Sequence, residues 1–170
     1  AKPLGTLMLL REMFKQRQVR LPVRIGQSIP MSQLDIDNLS NRDKAKLLKK
    51  HVYRLCKNRK PIFQTEKSIA HPEDRRTLRR ELKQSQLLGE TKDGKQIYLF
   101  DAPRNSIVMK ELGRLREISF RRVGEGSGEK RDLDNYDRYY RHIVLWDEDE
   151  LEIVGAYRIA EAGPLITGAG

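Results

Sequence analysis

Residues 131–142 read RDLDNYDRYYRH, which brings Asp132, Asp134 and Asp137 within reach of His142 just before the apolar run at 143–146. Carboxylates and a histidine grouped so closely can form part of a reactive site. The same acids, mixed with arginines and tyrosines, can equally form a solvated turn or an ion-pair network, and spacing alone leaves both readings open. Arg116 and Phe120 lie four residues apart in a helical stretch, so they sit side by side on its flank. Arg158 follows in the last apolar segment, and both guanidinium groups suit bidentate pairing with the acids. His142 and Asp147 also satisfy an HxxxxD base motif, but five residues along a strand put them on opposite faces, so the motif is rejected.

Other reactive groups are sparse. His51 and His71 have no partner at metal or catalytic spacing, and no metal site is expected. The single cysteine, Cys56, excludes a disulfide framework and is expected inside a helix, buried. GEGSG at 124–128 lacks the Lys-Ser/Thr ending and the preceding strand of a phosphate loop, and reads as a flexible connection.

The elements that must position these residues follow from periodicity. Residues 4–16 have helical apolar spacing, and 19–25 alternate as a strand that Pro22 confines to an edge. A helix over 43–57, capped by Ser40 or Asn41, carries Ala45, Leu48, Val52 and Leu55 as its stripe. A second helix runs over 73–88, with Pro72 at its start and Gly89 as its end; it exposes Arg75, Arg76, Arg79, Arg80 and Lys83. KDGK at 92–95 is a hairpin turn leading into the strand QIYLF. Asn105 or Ser106 opens a helix to residue 122, with Val108, Leu112, Leu115 and Ser119 in one arc. HIVLW and EIVGAYRI form an antiparallel hairpin across the acidic turn DEDE.

Charge is distributed unevenly. Residues 1–100 carry 23 Lys and Arg against 10 Asp and Glu, whereas residues 101–170 carry 11 against 14. A basic first half favours an anionic partner: a phospholipid surface, an acidic carrier protein or nucleic acid. The longest apolar run near the start, LGTLMLL, is far short of the ~20 residues that span a bilayer. Both ends lack capping or signal features and are expected to be cut from a longer chain.

Taken in order, Arg116-x-x-x-Phe120, then DLDNYD, then VGAYR ending on Arg158, resemble the acyl-homoserine-lactone synthase and ornithine-lipid N-acyltransferase branch of the GNAT acyltransferases. The likeness covers residues 95–162. It is nearest to bacterial proteins described as hemolysins, in which a glycerophospholipid acyltransferase-like domain precedes an N-acyltransferase domain. Residues 1–30 resemble the last helix and strand of that first domain.

The resemblance implies an α/β (α+β) chain, helical in its first two thirds, with a partial, mostly antiparallel GNAT-like sheet after it. It divides the chain into a 1–39 tail, a basic connector over 40–92 and the front of an N-acyltransferase over 93–170. It implies Asp134, Asp137 and His142 as catalytic residues, and Arg116, Phe120, Asp132 and Arg158 as substrate-binding ones. The implied reaction moves a fatty acyl group from acyl carrier protein or acyl-CoA to an amine, with no permanently bound cofactor. Acyl carrier protein and an anionic membrane surface are the implied partners, and the implied location is cytoplasmic, peripheral on the inner membrane. With the acyl cleft expected beyond Gly170, the chain alone is expected to be inactive. The rival reading is a winged-helix nucleic-acid-binding module, with 73–88 as recognition helix and 90–100 as wing.

Overall fold

The computed structural model describes residues 8, 14–15, 20, 22–103 and 105–160. They fall into two compact units, Ala1–Gly26 with Asn41–Ile62, and Gln27–Ser40 with Phe63–Gly170. Most of the helix expected over 4–16 lies outside the described residues. The strand expected over 19–25 is not formed at residues 22–25: Val23 and Ile25 are exposed, with no ladder partner for a segment that Pro22 already deprives of a donor.

A short helix of the second unit, α1, Met31–Leu34, precedes in the chain the long helix of the first unit, α2, Asn41–Cys56. Asp43 stands in the first turn of α2 and Arg54 in the last, each matching the helix dipole. The inward side is Leu47, Leu48, His51 and Leu55, not the expected Ala45–Leu48–Val52–Leu55 stripe. Burying His51 turns the helix by about one position, because its Nδ1 accepts a hydrogen bond from Ile62 N at 3.3 Å. Cys56, expected to be buried, therefore lies on the exposed side. Arg24 satisfies the helix's last carbonyls, donating to Cys56 O at 3.1 Å and to Asn58 Oδ1 at 2.5 Å. Asn58 ends the helix with φ 52°, a left-handed conformation that asparagine tolerates.

The second unit is a mixed α+β fold around a four-stranded antiparallel sheet in the order β1-β2-β3-β4. The strands are β1, Gln86–Glu90; β2, Gln96–Asp101; β3, Arg141–Asp147; and β4, Glu152–Ile159. Alternation decides the faces: Tyr98 and Phe100 of β2 and His142, Val144 and Trp146 of β3 are buried on one side. Helices α3, Arg75–Leu82, and α4, Ile107–Arg122, complete that core with Leu78, Leu82, Val108, Met109 and Leu112. Val154 is the extra residue of a bulge on β4, which lets Ile153 join Trp146 in the core.

Two expectations about these elements change. The helix of 73–88 is shorter, starting at an Asp74 N-cap that accepts from Thr77 N at 2.8 Å and ending at Leu82. Residues 86–90 instead pair with β2 through the 91–95 turn, because closing that hairpin satisfies their backbone in a ladder. Gly89 is thus a strand residue beside a bulge, not a helix end, and the sheet starts before residue 93. On α4 the start at Ser106 is as expected, its hydroxyl accepting from Met109 N at 2.9 Å, but Ser119 is exposed and Glu111 and Glu117 are buried. The helices are also tied together: Glu81 of α3 accepts from Ile107 N at 2.9 Å, at the positive end of α4.

Candidate functional site

The site is built where α4, the segment after it and β4 meet. Gly113 of α4 permits this approach: its carbonyl accepts from Asp132 N at 2.8 Å, and an added Cβ would meet Leu133 Cγ at 2.5 Å. The chain then forms a single 3-10 turn, Asn135–Arg138, with a reciprocal cap. Asp134 accepts from Tyr136 N at 2.8 Å and Asp137 N at 3.0 Å, while Asp137 Oδ2 accepts from Asp134 N at 2.8 Å. This local exchange holds both carboxylates through backbone donors alone.

Arg116 and Arg158 then converge on the acids from different elements. Arg116 Nη1 lies 3.0 Å from Asp137 Oδ1, and its Nη2 3.2 Å from Asp132 Oδ2. Arg158 Nη1 lies 2.8 Å from Asp134 Oδ2 and 3.1 Å from Asp137 Oδ1. Asp137 is 4% exposed and bridges both guanidinium groups, whereas the Asp134 side chain is 37% exposed. The Arg158 hydrogen bond holds the Asp134 carboxyl below its ordinary range, and Asp134 in turn raises Arg158. Three carboxylates face two guanidinium groups, so acids outnumber bases in the cluster by one.

Of the expected residues, Asp132, Asp134, Asp137, Arg116 and Arg158 are brought together. His142 is 4% exposed on the core face of β3, with Nε2 3.5 Å from Asp137 O. Burial pushes its imidazole below the usual histidine range, so it is neutral at neutral pH. Phe120 stands one turn beyond Arg116 and is exposed.

Two contributors were not anticipated. Tyr140 lies under Arg158, 5.2 Å from guanidinium carbon to ring centroid, and packs edge-on against Tyr136. Glu117 is fully buried beside Arg116 and organises the 124–128 loop, which is therefore not a free connection. Its carboxylate accepts from Ser127 Oγ at 2.7 Å, Ser127 N at 3.0 Å, Gly128 N at 2.9 Å and Arg121 Nε at 3.0 Å. Burial alone would raise its pKa, but these donors outweigh it and the carboxyl stays below its usual range. The Glu117–Arg121 spacing of four was the available signal.

The basic face of α3 is largely engaged within its own unit. Arg79 Nε donates to Glu148 Oε1 at 2.7 Å, Lys83 Nζ to the same oxygen at 2.9 Å, and Arg75 to Glu150 O at 2.7 Å. Trp146 Nε1 donates to the other Glu148 oxygen at 2.7 Å. Led by Arg79, these partners hold Glu148 at about 2. Among the described residues no group of acidic, histidine or cysteine side chains is arranged to hold a metal ion.

Part of this stretch of chain is similar to known proteins. Residues 115–168 match the family model described as an acetyltransferase (GNAT) domain. A protein named Glycine N(alpha)-acyltransferase from Bacteroides thetaiotaomicron is 38% identical over 94 residues, covering 53% of this chain and 28% of that protein. Its namesake from Phocaeicola vulgatus is 39% identical over 94 residues, covering 53% and 29%. The chain thus spans less than a third of the length of these relatives. No solved structure matches it.

Proposed function

We propose that the unit containing residues 63–160 carries the acceptor side of an N-acyltransferase, which moves a fatty acyl group from a thioester to the amine of a small amino acid. The observation that supports this most is the clamp of Arg116 and Arg158 on Asp132, Asp134 and Asp137, at a segment similar to GNAT domains. The excess carboxylate charge suits an incoming ammonium, and Asp134 is the most exposed of the three carboxylates. The buried Asp137 positions both arginines, and His142 positions Asp137's backbone; neither is open to substrate.

Amide formation needs the amine deprotonated before it attacks the thioester carbonyl, after which the thiol leaves. In this reading Asp134 holds the ammonium while water carries its proton away. Glycine is the acceptor that the relatives' names favour. The thioester belongs to acyl carrier protein or CoA, and the product is an acylated amino acid of the kind used in lipid synthesis. Residues 1–39 would end a preceding glycerophospholipid acyltransferase-like domain, on the resemblance of residues 1–30 alone. The nucleic-acid reading is weaker, because Arg75, Arg79 and Lys83 of the supposed recognition helix are held by residues 148–150.

The experiment is a chimera in which the matched 94-residue segment replaces its counterpart in the Bacteroides thetaiotaomicron relative. Thiol release from long-chain acyl carrier protein and acyl-CoA is followed with glycine as acceptor, and the N-acyl product is identified by mass. Glycine-dependent release supports the reading. A folded chimera that releases no thiol with either donor overturns it.

A further inference from the structure

We propose that the unit containing α2 docks on an anionic phospholipid surface through the outward side of that helix. Residues 41–62 carry nine Lys and Arg and one acid, Asp43. Lys46 pairs with Asp43 at 2.8 Å, while Arg42, Lys44, Lys50, Lys57 and Lys60 make no ion pair among the described residues. The other unit, residues 27–40 and 63–170, carries 19 Lys and Arg against 22 Asp and Glu, so the chain's positive excess belongs to this one. There the basic face of α3 is answered by Glu148 and Glu150, whereas among the described residues no such acidic turn answers α2.

Charge alone would suit any polyanion, and the apolar side chains on the same side of α2 decide between them. Ala45, Lys49, Val52, Tyr53 and Cys56 follow helical spacing along the exposed side, with Lys46, Lys50 and Lys57 beside them. Val52 is 53% and Tyr53 60% exposed, and Lys49 Nζ lies 5.7 Å from the Tyr53 ring centroid. An apolar strip edged by lysines is what an interfacial helix presents: the strip enters the headgroup boundary while the ammonium groups meet lipid phosphates. A nucleic acid would answer the charges but leave Val52 against polar groups. The mode is adsorption, since no described helix is long and apolar enough to cross a membrane. The inference rests on this unit's charge and exposure, independently of acyl transfer, and its test needs no turnover.

The 170-residue chain is sedimented with vesicles of phosphatidylcholine alone and of phosphatidylcholine with phosphatidylglycerol, at low and high salt. Binding to the anionic vesicles only, weakened by salt, is expected. Lys46→Gln, Lys49→Gln and Lys50→Gln together should lower partitioning about 100-fold or more. Val52→Ser with Tyr53→Ser should remove the part of binding that survives high salt. These changes lie on exposed side chains, and unchanged far-ultraviolet circular dichroism marks the variants as folded. Arg76→Gln with Arg80→Gln, in the other unit, should leave binding unchanged. Equal binding to neutral vesicles, or no loss in the lysine variant, overturns the proposal. So does tight binding to duplex DNA or acyl carrier protein with none to vesicles.

Discussion

Asp137→Ala tests the clamp at its centre. The carboxylate makes close contacts to Arg116 Nη1, Arg158 Nη1 and Asp134 N, at 3.0, 3.1 and 2.8 Å. Removing it leaves two guanidinium groups beside each other and opens the reciprocal cap of the 3-10 turn. Losing one partner of a buried ion pair costs about 3–5 kcal/mol. Arg116 and Arg158 keep Asp132, Asp134 and some solvent, so the low end applies, about 3 kcal/mol. With a urea slope of about 2 kcal/mol per molar, the unfolding midpoint should fall by about 1.5 M. Asp134→Ala should cost about 1 kcal/mol, mostly as a lost cap, and Asp132→Ala about 0.5 kcal/mol, as an open ion pair. Urea titrations of the three variants give the order directly. An Asp137→Ala midpoint no lower than that of Asp132→Ala would refute the reasoning, because burial would then not distinguish the two acids.

Three further perturbations probe the supports. Gly113→Ala sets a methyl against Leu133 Cγ and should cost about 1–3 kcal/mol by pushing the 132–134 segment off α4; weakened protection of the Asp132 amide in hydrogen exchange is the local check. Glu117→Gln turns one carboxylate oxygen into an amide NH2, set either against Ser127 N and Oγ or against Gly128 N and the Arg121 guanidinium, and should destabilise by about 2–3 kcal/mol with loss of amide protection at 127 or 128. Glu148 ionises at about 2 in the folded chain against 4.5 as its ordinary value, so the unfolded chain binds more protons between these limits. Its stabilisation is present above about pH 4.5 and is lost as pH falls towards 2; the fluorescence of Trp146, the single tryptophan, should follow that loss, and Glu148→Gln should flatten it.

The sheet hairpin of β3 and β4, the Ser106-capped α4 and the convergence of five charged residues were legible because each rests on local alternation, a cap or a quoted motif. The end of α3 was not. Gln86 to Leu88 read as helix because Leu87 and Leu88 extend the apolar pattern, whereas pairing with β2 is a non-local contact that no window contains. The stripe of α2 was misplaced for a related reason: His51 stood outside the expected stripe, yet a distant backbone donor at Ile62 makes it an inward residue. Glu117 was passed over because charged side chains are seldom fully buried, and the loop that satisfies it begins seven residues later, where glycines suggested freedom. His142 was placed on the right strand, but only the sheet's core face shows that solvent does not reach it.

The most direct test of the central claim is the Michaelis constant for glycine in the chimera, measured with and without Asp134→Asn while donor saturation is held. If the carboxylate cluster receives the acceptor's ammonium, the glycine constant should rise about tenfold or more, roughly the loss of one charge-assisted hydrogen bond, with the thioester constant unchanged. Unaltered glycine and thioester constants in a folded Asp134→Asn variant would contradict it, leaving the clamp a structural brace.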